Sequence, residues 1–266
     1  MNRRRFFVTM GGLAAGAVAA AASTTPGSAD DLDDPPSLAV PTSAAPPLLA
    51  PPPSKSLRVA PGKVPLTALP GSGTSLALTI DDGVDADVVA AYIKFAKDTG
   101  ARFTFFVTAS YQSWTTNRAD LRPLVDSGQI QLGNHTWDHP DLTTLSKSAV
   151  AEQLRRTQKF LSTNYGVTGA PYYRPPYGKR NAAVDAVAAD LGYSVPTMWY
   201  GSLSDSEIIT TDYLLECARK YFTAQAIVIG HANHLPVTRV YDKLVGIIRE
   251  RGLSMVTLDD VLLPPR

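Results

Sequence analysis

The chain beyond about residue 57 alternates short apolar runs with amphipathic stretches. Seven apolar runs have the length and composition of buried strands, at residues 76–80, 103–107, 130–133, 172–174, 194–197, 227–229 and 254–257. Most of the segments between them place apolar residues at helical spacing, at residues 86–97, 120–127, 146–165, 181–191, 211–222 and 238–251. Ser146 is suited to cap the start of one helix, and Gly192 and Gly252 to end two others. The alternation predicts an α/β fold, a distorted (β/α) barrel of about seven parallel strands with helices outside.

The N-terminal 29 residues have a different pattern. Arginines at positions 3–5 precede Phe6, Phe7 and a soft apolar run at residues 8–22, which small residues follow. This pattern predicts a twin-arginine-type signal peptide, with cleavage after Ala22 or Ala29. The run is short and rich in alanine and glycine, so we expect no stable membrane span after processing; an uncleaved anchor is the alternative. The protein is therefore expected to be exported, and to be extracellular or associated with a cell wall.

A second segment, residues 30–56, is acidic at first and then rich in proline, alanine and serine. Such a composition cannot bury enough apolar surface to fold, and it predicts an extended linker. The linker would hold a folded domain at residues 57–266 away from a membrane or wall.

Composition excludes several classes of protein. The formal net charge of +1 lacks the basic excess that nucleic-acid binding requires. The single cysteine, Cys217, excludes an internal disulfide and a multi-cysteine zinc site. Its apolar surroundings favour a buried small side chain over a nucleophile. We expect a monomer without a nucleic-acid partner.

Two adjacent carboxylates, Asp81 and Asp82, end the first predicted strand and precede Gly83. In a parallel barrel the carboxyl ends of the strands carry the chemistry, and at a strand-to-loop junction both side chains can turn toward one site. One carboxylate of such a pair can bind a metal ion while the other acts as a base. A solvated Asp-Asp-Gly turn is the alternative when the dipeptide is taken alone.

Two histidines four residues apart, His135 and His139, follow the third predicted strand. On one helical turn their imidazoles could face the same ion. The spacing is that of zinc proteases, but Thr136 stands where those enzymes carry glutamate, so the base must be Asp81 or Asp82. Two imidazoles and a carboxylate leave open positions for water and substrate, as a catalytic divalent ion requires. An incidental pair of histidines is the alternative.

Two further polar groups follow predicted strands. Arg174 opens a turn that contains Pro176 and Tyr177. An arginine here can pair with a catalytic carboxylate, and the rigid turn can expose a backbone N–H toward an oxyanion. His231 follows the sixth predicted strand, where a general acid could protonate a leaving amine. Taken alone, a plain loop and a structural histidine are the alternatives.

In order along the chain, these motifs resemble those of the polysaccharide deacetylases of carbohydrate esterase family four, which include chitin, chitooligosaccharide and peptidoglycan deacetylases. The resemblance covers residues 76–262 and is strongest at residues 79–83, 135–139 and 174–178. It implies a distorted barrel with fewer than eight strands, in agreement with the strand pattern. It also implies a secreted hydrolase that removes N-acetyl groups from a polysaccharide or oligosaccharide. The implied cofactor is a divalent metal, usually zinc, with cobalt or nickel as alternatives.

The resemblance assigns roles to the residues of these motifs. The implied metal ligands are Asp82, His135 and His139. The implied catalytic residues are Asp81 as the base, Arg174 as its orienting partner and His231 as the acid. The turn of Pro176 and Tyr177 would present the Tyr177 N–H to the oxyanion.

The chain departs from the family pattern after this turn. Asp205 fits an acidic position of the family and could pair with His231 to raise its pKa. Ser206 stands where the family carries tryptophan, so part of the active-site wall is missing or is supplied by Trp199. Ile229 replaces a leucine that faces the acetyl group.

Three functions are compatible with these motifs. The first is deacetylation of N-acetylhexosamine units in peptidoglycan or a chitin-like polymer. The second is a non-catalytic barrel that binds wall polysaccharide. The third is hydrolysis of another bond, such as an O-acetyl ester, which has a better leaving group and needs His231 less.

Overall fold

The computed structural model describes residues 48–62 and 64–264. The predicted signal peptide, residues 1–29, and residues 30–47 of the predicted linker lie outside the described residues. Within the rest of the predicted linker, Leu49 is buried in the core, and its N–H donates to the carbonyl of Thr99 at 2.7 Å. The packed domain therefore includes residues ahead of the boundary expected at residue 57.

The described residues form one sheet of eight strands, and all of its pairings are parallel. The strands are β1 (Ser75–Asp82), β2 (Phe103–Val107), β3 (Ile130–Asn134), β4 (Tyr172–Tyr173), β5 (Val195–Pro196), β6 (Gly201–Ser202), β7 (Ile227–His231) and β8 (Ser254–Met255). Their order is β5-β4-β3-β2-β1-β7-β6, with β8 paired to β1. Leu66 and Ala68 form isolated bridges to Thr197 and Ala226, near the two ends of this order. The sheet is a curled half-barrel, which confirms the predicted α/β distorted barrel.

Eight helices accompany the sheet among the described residues. They are α1 (Ala86–Thr99), α2 (Ser113–Thr116), α3 (Arg118–Asp126), α4 (Lys147–Tyr165), α5 (Ala182–Asp190), α6 (Thr211–Tyr221), α7 (Tyr241–Glu250) and α8 (Leu258–Val261). Helix α4 begins as predicted, because the Ser146 hydroxyl accepts a hydrogen bond from the Ala149 N–H at 3.2 Å. Gly192 and Gly252 follow α5 and α7 with φ angles of 88° and 58°, a conformation that suits glycine.

The structure differs from the predicted elements in a few places. The two-residue strand β6 was not predicted, because Gly201 and Ser202 form no apolar run. Helix α7 begins at Tyr241 instead of residue 238, because residues 235–239 form a separate 3₁₀ helix that contains Pro236. The four-residue helices α2 and α8 are too short for a periodic pattern to reveal them.

Strand β1 lies in the middle of the sheet and is buried at every position. Such burial on both faces is typical of parallel sheets whose two faces are covered. Cys217 is buried on α6, as its apolar surroundings predicted. Among the helices that the structure describes, none has the length and apolar character needed to cross a bilayer.

Candidate active site

The predicted functional residues meet at the carboxyl edge of the parallel sheet. Asp81 and Asp82 end β1, His231 ends β7, and His135 and Arg174 directly follow β3 and β4. Because carboxyl ends of parallel strands share one edge, these side chains border a common cleft of about 480 Å³. The predicted residues that line the cleft are Asp81, Asp82, His135, His139, Tyr177, Trp199, Ile229 and His231. The other predicted residues, Arg174, Asp205 and Pro176, are buried outside the lining.

The backbone at the end of β1 explains how two adjacent carboxylates reach one cleft. Successive side chains of a strand point to opposite faces, but Asp82 has a φ angle of 70°, which ends the strand geometry. Gly83 follows with a φ angle of 90° and packs against the indole of Trp114. The indole Nε1–H donates to the Asp82 carbonyl at 3.1 Å. This turn directs both Asp81 and Asp82 into the cleft.

Asp82, His135 and His139 form a cluster with the donor set of a metal site. Asp82 Oδ1 lies 3.4 Å from His135 Nε2 and 3.3 Å from His139 Nε2. One potential ligand atom from each residue lies within 4.8 Å of the others. Asp82 Oδ1 is buried and accepts no hydrogen bond from the described residues. A buried carboxylate oxygen aimed at two imidazole nitrogens fits a divalent cation such as zinc.

The two histidines do not share a helical turn, so that expectation was wrong. Residues 135–139 form a loop, in which Thr136 and His139 have φ angles of 73° and 63°. The Asn134 side chain accepts from the Thr136 N–H at 2.9 Å, and the Thr136 hydroxyl accepts from the His139 N–H at 3.1 Å. These bonds fold the loop so that the rings of His135 and His139 meet edge to face at 4.9 Å.

The hydrogen bond of His135 fixes which nitrogen faces the cluster. His135 Nδ1 donates to the carbonyl of Arg174 at 2.7 Å, which leaves the Nε2 lone pair directed at Asp82. Burial lowers the pKa of His135, but the charges of Asp81 and Asp82 raise it above its ordinary value. Burial has the opposite effect on Asp82 and raises its pKa, but the neighbouring His135 and His139 hold that pKa well below its usual range. The site therefore favours an ionised carboxylate and attracts positive charge.

Asp81 is held by a buried arginine. Arg174 Nη1 donates to Asp81 Oδ1 at 2.6 Å, and both side chains are inaccessible to solvent or nearly so. The other carboxylate oxygen, Oδ2, lies 3.5 Å from His135 Nε2. Asp81 therefore lies beside the cluster of Asp82, His135 and His139. Arg174 holds its Oδ1, and its Oδ2 lies near His135 Nε2.

His231, which lines the cleft, forms a second pair with the buried Asp205. His231 Nδ1 lies 3.0 Å from Asp205 Oδ1, and the His231 N–H donates to Asp205 Oδ2 at 3.2 Å. Burial lowers the pKa of His231, but the hydrogen bond to Asp205 and the charge of Asp81 raise it above its ordinary value. Asp81 and His231 are direct partners in the register of β1 and β7. The imidazole therefore lies beside a carboxylate from the neighbouring strand.

The turn after β4 and the surrounding walls complete the cleft. Tyr177 has a φ angle of 59° and lies over His139, with ring centroids 4.6 Å apart. Trp199 and Ile229 line the cleft, and Ser206 lines it at the position where the family pattern carries tryptophan. The structure thus places every predicted residue in or directly behind the cleft, while the individual roles remain predictions.

Sequence reasoning missed several residues of the site, among them Asn233, Tyr111 and Trp114. Asn233 Nδ2 donates to Asp82 Oδ2 at 2.7 Å, and its Oδ1 accepts from the Val84 N–H at 3.3 Å. Tyr111 lines the cleft, and Trp114 supports the Asp82 turn. The only signal in the sequence is for Asn233, which lies two residues after His231 in the same polar segment.

Comparisons with known proteins agree with this geometry. Residues 69–196 match the family model for polysaccharide deacetylases, a range that includes the Asp-His-His cluster and Arg174 but ends before Asp205 and His231. A peptidoglycan-N-acetylglucosamine deacetylase of Listeria monocytogenes is 30% identical over 212 residues, which cover 78% of this chain and 43% of that protein. A chitin deacetylase of Pestalotiopsis is 31% identical over 197 residues, which cover 71% of this chain and 63% of that protein. The chain thus spans less than half of the first relative and less than two thirds of the second.

A solved structure shows the same fold. A pseudoenzyme of carbohydrate esterase family four from Bacillus anthracis is 22% identical and superposes with a TM-score of 0.66. The match covers 77% of this chain and 72% of the other. The family match and the ordered motifs together show that residues 69–196 belong to the polysaccharide deacetylase family, and the solved structure shows the same fold.

Proposed function

We propose that the chain is an exported, metal-dependent hydrolase that removes N-acetyl groups from a wall polysaccharide. The observation that carries the proposal is the position of the Asp81–Arg174 pair directly beside the cluster of Asp82, His135 and His139. One carboxylate is thereby free to act as a base while the other is committed to a cation. The relatives that act on peptidoglycan and chitin support a polymer of N-acetylated sugars as the substrate.

A divalent cation held by Asp82, His135 and His139 would polarise the acetyl carbonyl and make water more acidic, which lets the reaction run at neutral pH. The donor set suits zinc, and also cobalt or nickel. Asn233 and the Arg174 carbonyl hold two of the three ligands in place through their hydrogen bonds. Such outer hydrogen bonds orient ligands and sharpen metal affinity.

The protein's own groups supply the proton transfers. Asp81 accepts a proton from the attacking water, and the hydrogen bond from Arg174 holds the Asp81 carboxylate in orientation. The oxygen of that water bonds to the acetyl carbon, the carbon–nitrogen bond breaks, and His231 Nε2 delivers a proton to the departing amine. Asp205 holds the opposite nitrogen of His231. The Tyr177 N–H is suited to donate to the oxyanion.

The test is release of acetate from N-acetylated chitooligosaccharides and from peptidoglycan fragments by the purified protein loaded with zinc. We expect acetate release, its loss on chelation, and its recovery when zinc returns. No acetate from either substrate with zinc bound would contradict the proposal.

The Asp81→Asn variant separates an enzyme from a non-catalytic binder. We expect turnover to fall by about 10²- to 10⁴-fold, since a general base contributes that much, while affinity for the polysaccharide is retained.

Comparing His231→Ala on an amide and on an O-acetyl ester tests which bond the site hydrolyses. A larger loss on the amide supports N-deacetylation, because the amine is the poorer leaving group.

A further inference from the structure

A second hollow adjoins the catalytic cleft. Its volume is about 600 Å³, compared with about 480 Å³ for the cleft, and Asn233 lines both. Two loops run from one to the other. In the first, Ser206 and Glu207 line the cleft and Ile208 lines the hollow; in the second, Asn233 is followed by Leu235, which lines the hollow. A substrate seated in the cleft can therefore extend directly into the hollow.

The hollow has exposed apolar walls. The Ile208 side chain is 76% exposed, and that of Leu235 is 46% exposed. Ile209 and Pro236 add apolar surface beside them. Large aliphatic side chains that face solvent at the mouth of a catalytic cleft mark a place where ligand groups are buried. Aliphatic walls of this kind suit methyl groups.

The lining of the hollow carries one cationic side chain, Arg239, and one carboxylate, Asp85. Arg239 is exposed and has neither an ion-pair nor a hydrogen-bond partner among the residues that the structure describes. The carboxylate of Asp85 caps α1, where its Oδ1 accepts from the N–H groups of Asp87 and Val88. His234 Nε2 faces the carbonyl of Ser206 at 3.2 Å. An unpaired guanidinium beside apolar walls that accommodate methyl groups suits a ligand with a carboxylate on a small aliphatic group.

We propose that this hollow binds the lactyl-peptide branch of peptidoglycan, with Arg239 contacting a branch carboxylate and Ile208 and Leu235 contacting its methyl groups. An unbranched chitin chain carries no carboxylate and no substituent long enough to fill the hollow. The inference rests on the proposed deacetylase function and names its substrate class. On this inference, Ile208 and Arg239 determine the preference for the branched over the unbranched polysaccharide.

The test compares a peptide-bearing peptidoglycan tetrasaccharide with chitotetraose, using the zinc-loaded protein. For each variant, kcat/KM for acetate release is measured on both substrates, and calorimetry gives the affinity for both. We expect Arg239→Ala and Ile208→Ser each to lower the ratio of kcat/KM values, branched over unbranched, by about 10- to 100-fold, as one charged hydrogen bond or one buried aliphatic side chain contributes. Arg155→Ala on α4, an exposed arginine away from the cleft, is the matched control and should leave the ratio unchanged.

The outcomes separate the two proposals. If both substrates release acetate and neither variant changes the ratio, the branch does not bind in the hollow, while the deacetylase function stands. If neither substrate releases acetate, the deacetylase function fails, and the calorimetric affinity ratio then decides the inference. An affinity ratio unchanged by both variants overturns it, and a fall in that ratio supports it.

Discussion

Arg174 holds Asp81 with a hydrogen bond of 2.6 Å while its own backbone carbonyl accepts from His135 Nδ1 at 2.7 Å. One residue thus orients both the candidate base and a candidate metal ligand. Three of its four remaining N–H groups donate to the carbonyls of Thr197 and Met198 and to the Thr79 hydroxyl. The guanidinium stacks over the ring of Phe106 at 4.3 Å, which completes its burial.

Replacement of this arginine should destabilise the fold strongly. Arg174→Met retains volume but leaves the buried charge of Asp81 without its cation. Loss of one partner from a buried ion pair costs about 3–5 kcal/mol. We expect a drop of that size in the free energy of unfolding, measured by denaturant titration.

Arg122 provides the control for this experiment. It pairs with Asp126 at 2.9 Å on the surface of α3, where both side chains are about half exposed. Arg122→Met should change the free energy of unfolding by less than about 1 kcal/mol, since solvent screens such pairs. Equal losses of the free energy of unfolding in the two variants would contradict the expectation that burial makes the loss of Arg174 more costly.

Asn233 should tune metal affinity through Asp82. Its Nδ2 donates to Asp82 Oδ2 at 2.7 Å, which leaves Oδ1 directed at the two histidines. Loss of such an outer hydrogen bond typically weakens metal binding by about 10- to 100-fold. We therefore expect Asn233→Ala to lower zinc affinity by that factor, measured by competition with a chromophoric chelator. Asn117→Ala, which removes hydrogen bonds to the carbonyls of Ala86 and Ser113, is the control and should bind zinc as the parent does.

Asp205 should set the alkaline limb of the pH profile. Burial lowers the pKa of His231, but its hydrogen bond to Asp205 and the carboxylate charges raise it above 6.5. An acid catalyst works only while protonated, so kcat falls as pH rises through this raised pKa. In Asp205→Asn the pKa of His231 drops, and we expect the alkaline limb to move to lower pH. Asp190→Asn, at an exposed position, should leave the limb in place, and an unmoved limb in Asp205→Asn would refute the pairing.

The same pair links stability to pH. Because the folded pKa of His231 is raised, its proton stabilises the fold at a pH below the unfolded value, and this contribution is lost as pH rises through the folded value. Above about pH 6.5, the parent should therefore lose more free energy of unfolding than Asp205→Asn does. Parallel unfolding curves at a series of pH values measure the difference.

Gly83 should tolerate no side chain. A Cβ there would clash with the indole of Trp114, and its φ angle of 90° already disfavours other residues. Gly71 has a similar φ angle of 84° but open space around it. Gly71→Ala should therefore cost only the conformational strain, about 1–2 kcal/mol. Gly83→Ala should cost a further ~1–3 kcal/mol from overpacking and should also weaken zinc binding, because Asp82 adjoins it. Equal costs for the two glycines would contradict this account.

The sequence predicted the strand ends well, because their signals are local. The apolar run before Asp81 and the run before His231 are each bounded by polar residues, and parallel pairing then brings their ends together. Family resemblance added the assignment of roles, which the residue types alone left open between Asp81 and Asp82.

Other features could not be predicted from local patterns. The positive φ angles of Thr136 and His139 are unfavourable for those residue types and persist because Asn134 and Thr136 side chains hold the loop. The helical reading of His135 and His139 failed for this reason. The bond from Asn233 to Asp82 joins residues 151 positions apart, and no spacing rule indicates it.

The register of β1 and β7 fixes the positions of Asp81 and His231, whereas the hollow beside them lies on segments that could be exchanged. Asp81 and His231 are register partners because backbone hydrogen bonds align their strands, so the spacing of the proposed base and the proposed acid is built into the sheet. The adjoining hollow is bordered instead by the loop at residues 208–210 and by residues 233–239, which include a 3₁₀ helix. Grafting residues 206–210 from a relative should therefore change which ligand the hollow accepts and leave the placement of Asp81 and His231 unchanged.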